Sequence, residues 1–261
     1  GSREATAKEK GALYRALPPT GLAISNADDP FEKKTLEGCR ARIVRVGRQP
    51  KADYRLGSIQ TDGVTTRFVF EGPQGRAEIC LPVPGPHMAM NAAMAMAAGL
   101  ELGAELQAAV AALQKLQLPG GRVRLEKHGA GWLLDDSYNA NPDSLAAAIA
   151  TLESLPGKGR AVALLGAMAE LGSFSPMLHE ESGAALARSQ AALCFAVGDD
   201  SKNLIEAARQ ARPGDWARWF ASREDLLAAY RREAKPDDRI LVKGSRSQQM
   251  DLVAAELRKG S

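Results

Sequence analysis

Short apolar runs alternate with amphipathic segments along the second half of the chain. The apolar runs predict five strands, at residues 132–135, 161–166, 193–197, 216–220 and 239–243. Apolar residues at spacings of three and four predict helices at residues 143–155, 176–190, 201–211, 222–234 and 247–258. Strict alternation of strand and helix is typical of a parallel sheet with helices on both faces. We therefore predict a Rossmann-like, mostly parallel α/β domain in this half.

A different pattern fills the first half of the chain. A helix near residues 3–17 and a strand near residues 22–25 come first. In residues 41–81, apolar and polar positions alternate with a period of two and glycines interrupt the alternation. That pattern predicts a small antiparallel β-sheet built from hairpins.

Prolines and glycines mark a boundary between two domains. Helices near residues 88–101 and 105–117 follow a proline-rich turn, and the run from Leu118 to Gly121 has the composition of a linker. We place the domain boundary at this linker. Residues 1–119 then form the first domain and residues 120–261 the second.

Composition and charge argue against several classes of protein. Of the 261 residues, 45% are hydrophobic and 25% charged, and the formal net charge is only +3, so we expect no nucleic-acid partner. No apolar run approaches the roughly 18 residues that a membrane span needs, so we expect no membrane span. The three cysteines lie far apart in the sequence, which argues against a disulfide framework or a metal cluster and favours a cytoplasmic location. Gly1 and Ser2 are typical of a cloning remnant, so we expect a fragment of a longer chain.

The most informative motif is Asp-Asp-Ser-Tyr-Asn-Ala-Asn-Pro-Asp-Ser at residues 135–144, directly after the apolar run from Trp132 to Leu134. It predicts a strand, a polar loop and a capped helix start at Pro142. At the carboxyl end of a strand in an open α/β sheet, such a loop lines a crevice where a nucleotide or phosphate binds. An ordinary β-α turn is the alternative, because Asn, Asp and Ser are common turn residues.

Four segments resemble one family. They read Lys-Glu-Lys-Gly at 8–11, Gly-Pro-His-Met-Ala-Met-Asn-Ala at 85–92, Gly-Arg at 121–122 with the 135–144 motif, and Lys-Gly-Ser-Arg-Ser at 243–247. In this order they resemble the Mur ligases of peptidoglycan synthesis. Within that family the motifs are most similar to those of the ligases that add D-alanyl-D-alanine to UDP-N-acetylmuramoyl-tripeptide.

The resemblance implies an ATP-dependent ligase that uses ATP and magnesium and has UDP-N-acetylmuramoyl-tripeptide and D-alanyl-D-alanine as substrates. It also implies that residues 1–119 are the remnant of a central α/β ATPase domain and residues 120–261 a C-terminal Rossmann-like domain. The family's phosphate-binding loop, Gly-x-x-x-x-Gly-Lys followed by Ser or Thr, does not occur in the sequence. We therefore expect this chain to need the missing N-terminal portion of its parent and to be inactive alone.

In the first domain the resemblance assigns roles to three residues. Lys10 matches a lysine that is carbamylated in the family, and a carbamate offers the oxygen ligands that Mg²⁺ prefers. Without that modification Lys10 is a solvated lysine of a charged helix. His87 and Asn91 match a turn that contacts adenine, although Met88 replaces the usual Asn of a His-Asn pair. A helix-capping or packed histidine is the alternative for His87.

In the second domain the resemblance assigns Arg122 to the nucleotide phosphates and Asp136 to the ribose hydroxyls. Four further residues of the loop are expected to position ATP, the acyl phosphate or the dipeptide: Ser137, Tyr138, Asn139 and Asn141. Asn141 is equally suited to cap the following helix. Asp135, nearer the strand, is the structural member of the carboxylate pair.

A second cluster in the same domain is expected to receive the free carboxylate of the dipeptide. It consists of Lys243, Ser245 and Arg246, which place cationic and hydroxyl groups at a strand end. An exposed basic turn is the alternative. By resemblance, Lys10, Arg122 and Lys243 are the catalytic residues. Relatives often have Gly-Asp-Met where this chain has Gly-Ala-Met at 166–168, so any role of that carboxylate is lost.

Two other functions remain open at this point. Another Mur-type amino acid ligase would share the ATP machinery but differ in the 135–144 loop. A non-catalytic Rossmann-type nucleotide-binding module would share the strand and helix alternation. The sequence lacks the Gly-x-Gly-x-x-Gly turn that such a module carries after a strand.

Overall fold

The computed structural model describes residues 3–259, so the expected cloning remnant Gly1-Ser2 lies outside the described residues. The contacts divide the chain into two compact units, one of residues 1–61 and 65–116 and one of residues 62–64 and 117–261. This division falls a few residues before the domain boundary predicted from the sequence. Within the described part of the chain, no helix combines the length and the apolar character needed to cross a membrane.

The described part of the first unit contains four helices and five strands. They are α1 (Arg3–Ala16), β1 (Leu22–Asn26), α2 (Glu32–Thr35), β2 (Arg42–Gly47), β3 (Tyr54–Thr61), β4 (Thr66–Gly72), β5 (Gly75–Leu81), α3 (His87–Glu101) and α4 (Leu106–Gln114). All five strands form one sheet in the order β1-β2-β3-β4-β5. Alternating burial along β4 agrees with the period of two in its sequence.

The sheet of the first unit is mixed, and the prediction of an antiparallel sheet of hairpins over residues 41–81 was wrong for the β2–β3 pair. The β3–β4 and β4–β5 pairs are antiparallel hairpins, as expected. The β1–β2 and β2–β3 pairs are parallel. Hydrophobic periodicity indicates which face of a strand is buried but carries no information about the direction of its neighbour. The four-residue helix α2, in the connection between β1 and β2, is too short to give a helical pattern.

Helix α3 packs its small residues against this sheet. Ala89, Ala93 and Ala97 are fully buried, and Met88 and Met96 are buried beside them. Alanine lets a helix lie close to its neighbour, and the flexible methionines fill the space that remains. On the sheet side, Val46 and Phe70 have no exposed surface.

The second unit alternates strands and helices as the sequence predicted. Its elements are β6 (Arg124–His128), β7 (Gly131–Asp136), α5 (Pro142–Ser154), β8 (Ala161–Gly166), α6 (Ser175–Ala187), β9 (Ala191–Val197), α7 (Ser201–Ala211), β10 (Ala217–Phe220), α8 (Arg223–Glu233), β11 (Arg239–Lys243) and α9 (Met250–Arg258). The strand order is β10-β9-β8-β11-β7-β6. Every neighbouring pair is parallel except β6 with β7, which confirms the mostly parallel α/β fold.

Helices cover both faces of this sheet. Residues of α5, α6 and α7 join one buried cluster with the strand residues that point to their side. Residues of α8 and α9 join the cluster on the opposite face. Because β8 and β11 are buried on both faces, apolar residues follow one another without alternation along all of β8 and at 240–242 in β11.

The buried thiol of Cys194 in β9 is expected to make this unit less stable at alkaline pH. Complete burial raises the pKa of Cys194 from 9.0 to about 12, so the folded protein keeps the thiol protonated while the unfolded chain ionises. The unfolded state then binds fewer protons, and stability falls as pH rises above 9. We expect a loss of up to about 1.4 kcal/mol per pH unit, measured by urea unfolding between about pH 8 and pH 10.

Two alanine variants separate this effect from other groups. Cys194→Ala is expected to flatten the pH dependence, although it lowers stability at neutral pH by opening a small cavity. Cys39, which is only half-buried, provides the control, and Cys39→Ala should keep the wild-type slope. An unchanged slope in Cys194→Ala would contradict the assignment.

Candidate functional site

The polar motifs of the second unit lie at one edge of its sheet. Parallel strands bring their carboxyl ends to the same edge, where the loops after β7, β8, β9 and β11 begin. In the register of β7 and β11, Asp136 is directly opposite Lys243. The two motifs singled out in the sequence, 135–144 and 243–247, are therefore neighbours.

The two carboxylates at the end of β7 have separate surroundings. Asp135 is buried, and its Oδ1 accepts hydrogen bonds from the hydroxyl of Ser137 at 2.6 Å and from the amide of the same residue at 3.2 Å. Its Oδ2 accepts from Nη2 of Arg258, in α9, at 2.7 Å. Burial lowers the pKa of Arg258, but hydrogen bonds to Asp135 and Glu126 outweigh it and the net shift is upward. Asp135 therefore holds the base of the loop in place, and Ser137 is buried against it.

Asp136 and Lys243 form an ion pair. The ammonium of Lys243 also donates to the carbonyl oxygen of Asn139 at 3.0 Å, and only 2% of the Lys243 side chain is exposed. Asp136 Oδ1 accepts from the amide of Val123 at 3.1 Å. Each carboxylate oxygen can accept a second hydrogen bond, so the pairing leaves Asp136 with acceptor capacity for a ligand hydroxyl.

Ser245 is, with Lys243, a buried polar residue of the 243–247 motif. Its hydroxyl donates to the carbonyl of Ala140 at 3.2 Å and accepts from the amide of Ala169 at 2.7 Å. Its own amide donates to the carbonyl of Ala167 at 3.2 Å. Only 2% of Ser245 is exposed, and both its hydroxyl and its amide are hydrogen-bonded to backbone atoms of neighbouring loops.

Exposed cationic and aromatic groups of the site come from Arg122, Tyr138 and Arg246. The guanidinium of Arg122 lies over the ring of Tyr138, 3.8 Å from its centroid, and Tyr138 is 43% exposed. Gly121 adopts a φ of 74°, and its carbonyl accepts from the amide of Tyr138 at 2.8 Å. The side chain of Arg246 is 65% exposed and pairs with Asp251 at 3.0 Å. Cationic and aromatic surface is therefore available to a ligand at this edge.

Asn141 is the N-cap residue of helix α5. Its Oδ1 accepts from the amide of Ser144 at 2.8 Å, while the Ser144 hydroxyl accepts from the amide of Asn141 at 3.0 Å. These reciprocal bonds are a capping box, and Pro142 occupies the first helical position. Asn141 therefore caps helix α5, as the second of its two predicted roles stated. Asn139 instead bonds locally, with Oδ1 accepting from the amide of Ala140 at 2.9 Å.

Loss of this cap has a measurable cost. Asn141→Ala removes the acceptor for the Ser144 amide, and we expect the free energy of unfolding to fall by about 1 kcal/mol in urea titrations. Asn141→Asp keeps an acceptor at the same position and should stay close to wild type. Equal losses in the two variants would show that something other than the cap is responsible.

In the first unit, the three residues assigned by resemblance lie on two helices. Lys10 is exposed on α1. His87 is the first residue of α3 and is half-buried, while Asn91 is exposed one turn later. Nδ2 of Asn91 lies 3.8 Å from Sδ of Met88. Between Arg3 and Lys259, no group of three or more His, Cys, Asp or Glu side chains is arranged to hold a metal ion.

Two functional candidates were missed in the sequence. Arg258 supports Asp135 from the last helix, and His179 lies fully buried in α6 against the loop after β8. Neither residue belongs to a polar motif at a strand end. A histidine one turn into a helix that follows such a loop was the only available signal, and its residue type alone does not distinguish a packed histidine from a ligand-binding one.

Two family models match the chain, one on each side of the linker. Residues 1–99 match the Mur ligase middle domain, and residues 121–246 match the glutamate ligase domain of Mur ligases. The chain belongs to the Mur ligase family. The resemblance drawn from the four motifs is thereby confirmed at the level of the family.

Individual Mur ligases resemble this chain along nearly its whole length. It is 31% identical, over 98% of its length, to a protein of Bacillus subtilis named UDP-N-acetylmuramoyl-tripeptide–D-alanyl-D-alanine ligase, and 33% identical over 99% to the Escherichia coli protein of that name. It covers only 55% and 57% of those two proteins. The chain thus spans a little over half the length of these relatives.

Solved Mur ligase structures have the same fold. The structure of MurF from Acinetobacter baumannii superposes with a TM-score of 0.87 at 28% identity, covering 99% of this chain and 56% of that one. A Thermotoga maritima MurF in complex with ADP gives 0.82 at 22% identity, covering 100% and 59%. At that lower identity the likeness supports the fold alone.

Proposed function

We propose that this chain is part of an ATP-dependent ligase that joins D-alanyl-D-alanine to UDP-N-acetylmuramoyl-tripeptide in the cytoplasm. In this reaction the γ-phosphoryl group of ATP passes to the terminal carboxylate of the tripeptide and ADP leaves. The amine of the dipeptide attacks the resulting acyl phosphate, forms the amide bond and expels inorganic phosphate. Reactions of this kind depend chiefly on positioning and on neutralising phosphate charge.

The observation that carries the proposal is the similarity, along nearly the whole chain, to relatives named for this reaction. It favours this ligase over another Mur-type amino acid ligase. The fold alone would not decide between them, since a diaminopimelate ligase structure also matches, at 18% identity and a TM-score of 0.57. A Rossmann-type module outside the family is disfavoured by the two family matches.

The geometry supports specific roles in the second unit. Asp136 retains acceptor capacity for ribose hydroxyls, and the exposed guanidinium of Arg122 suits phosphate oxygens. Tyr138 and Arg246 offer exposed surface to the dipeptide, and Asn139 and Asn141 shape the loop backbone. His87 and Asn91 are proposed to contact the adenine. Lys243 and Ser245 are proposed as residues of the same site, where they bond to the carbonyls of Asn139 and Ala140.

Lys10, once carbamylated, is the residue of this chain proposed to bind magnesium. Bound Mg²⁺ would offset the negative charge of the phosphates. The described residues do not assemble a metal site. A carbamate on the exposed ammonium of Lys10 would supply oxygen ligands of the kind that Mg²⁺ prefers.

Ligand binding and turnover test the proposal separately. We expect D-alanyl-D-alanine and ATP to stabilise the chain in thermal-shift and calorimetric titrations, and NAD to have no effect. Stabilisation by NAD alone would overturn the proposal. We expect no ATP-dependent product from the 261-residue chain, because its sequence has no phosphate-binding loop. The same chain expressed with its native upstream sequence should form product, and failure of that longer protein would also count against the assignment.

A further inference from the structure

Three successive amides in the loop after β8 are each held by a different element. The amide of Ala167 donates to the carbonyl of Val197, at the end of β9, at 3.0 Å. The amide of Met168 donates to Nε2 of His179, in α6, at 3.0 Å. The amide of Ala169 donates to the hydroxyl of Ser245, after β11, at 2.7 Å. A loop segment with every amide satisfied in this way has one defined conformation.

His179 is the anchor on one side of this segment. It is fully buried, and an amide donating to Nε2 places its proton on Nδ1, which lies 2.8 Å from the carbonyl of Ser175 and donates to it. The Ser175 hydroxyl in turn donates to Oδ2 of Asp200, after β9, at 2.8 Å. One histidine therefore couples the loop after β8 to the start of α6 and to the loop after β9.

Ser245 is the anchor on the other side, and it reaches the motif at 135–144. Its hydroxyl accepts from Ala169 and donates to the carbonyl of Ala140, so a single buried oxygen joins the two loops. Lys243, two residues earlier, holds the preceding carbonyl, that of Asn139. Lys243 and Ser245 thus hold two consecutive carbonyls of the loop after β7.

We propose that His179 and Ser245 are positioning residues of the ligand site at this edge of the sheet. They act through the segment 167–169, which they hold against the backbone of residues 139–140, and so set the placement of the exposed groups of that loop. The hydroxyl of Ser245 then serves the loop rather than the dipeptide carboxylate. The proposal rests on the proposed function, since it takes D-alanyl-D-alanine as the ligand of the site.

Amide hydrogen exchange followed by NMR in the 261-residue chain tests the contacts. His179→Leu removes the acceptor for Met168, and Ser245→Ala removes the acceptor for Ala169. We expect exchange at the amide that loses its acceptor to accelerate by about tenfold or more, because a buried donor is left unsatisfied. The amide shifts of residues 139–141 should change in Ser245→Ala. His179→Gln, whose amide oxygen lies near the position of Nε2, should restore slow exchange at Met168.

Dipeptide affinity tests the role. At a temperature where all variants are folded, we expect His179→Leu and Ser245→Ala to weaken D-alanyl-D-alanine binding by about tenfold, and His179→Gln to bind like wild type. Ser182→Ala is the matched control, because the hydroxyl of this buried serine of α6 donates to the carbonyl of Leu178 in its own helix. It should change neither loop exchange nor affinity.

The outcomes separate the two proposals. Unchanged affinity in both variants, with the wild-type chain binding the dipeptide, overturns the positioning role, and so does equal weakening in His179→Gln and His179→Leu. If the wild-type chain does not bind the dipeptide, the proposed function fails. The positioning of the loop by His179 and Ser245 is tested independently of the ligand by exchange and shifts, and unchanged signals from residues 139–141 in Ser245→Ala overturn it.

Discussion

Replacement of Lys243 by methionine is expected to lower the free energy of unfolding by about 3 kcal/mol. Methionine keeps the length and apolar stem of the side chain but removes the ammonium. Asp136, whose side chain is only 17% exposed, would then carry an unpaired charge, and the carbonyl of Asn139 would lose its donor. Urea unfolding of the 261-residue chain measures this loss, and binding of D-alanyl-D-alanine should weaken with it because the loop after β7 is no longer held.

A double-mutant cycle shows how much of this loss belongs to the ion pair. Asp136→Asn combined with Lys243→Met removes both charges, so we expect the double variant to be more stable than the sum of the single losses predicts, by about 1 to 3 kcal/mol. Arg246→Met is the control, since this cation follows the same strand but is 65% exposed, and it should cost less than about 1 kcal/mol. Additive losses in the cycle would show that Lys243 acts through packing alone.

The contrast between Lys243 and Arg246 explains how far the site could be predicted. Sequence identified both as cations at a strand end, and the register of β7 and β11 did bring one of them to the motif at 135–144. Residue type does not say whether a polar side chain faces a ligand or its own backbone. Lys243 and Ser245 turn to the carbonyls of Asn139 and Ala140, a contact that exists only once two loops distant in sequence are adjacent.

The fold was predicted best where burial is most complete. The strands at 161–166 and 239–243 have the predicted bounds, because both are buried on both faces. All of β8 is apolar, and β11 has the apolar run Ile-Leu-Val at 240–242 between Arg239 and Lys243. Strand β6 was missed. It lies at the edge of the sheet, carries Arg124, Glu126 and Lys127, and has no fully buried residue, so its sequence resembles a polar loop. Its pairing is set by β7, which a local pattern cannot show.

The hydrophobic pattern of the sequence also could not predict close contacts between helices. The sequence predicted both α6 and α7, and Gly183 is simply an unfavourable residue in the middle of the first of them. The structure supplies the reason for it. An ideal Cβ on Gly183 would lie 2.1 Å from the carbonyl oxygen of Leu204 and 3.1 Å from the amide nitrogen of Ala208, both in α7.

Gly183→Ala is therefore expected to destabilise the protein by about 2 to 3 kcal/mol, even though alanine favours a helix. The clash is with backbone, which cannot rotate away as a flexible side chain does, so α6 and α7 must move apart. That movement also shifts His179, one turn earlier in α6, and we expect faster amide exchange at Met168 together with the fall in unfolding free energy. Urea unfolding and NMR exchange measure the two effects.

Gly99→Ala provides the matched control within the same chain. Gly99 also lies within a helix, α3, but the nearest atom to its ideal Cβ is the Cβ of Ala104 at 3.8 Å, an ordinary contact. Without a clash, only the intrinsic helix preference remains, and Gly99→Ala should raise stability by about 0.5 to 1 kcal/mol. Opposite signs for the two substitutions would establish that Gly183 is required by helix packing. A stabilising Gly183→Ala would mean that a Cβ fits between α6 and α7 without a clash. The expected coupling between this contact and His179 would then have no structural basis.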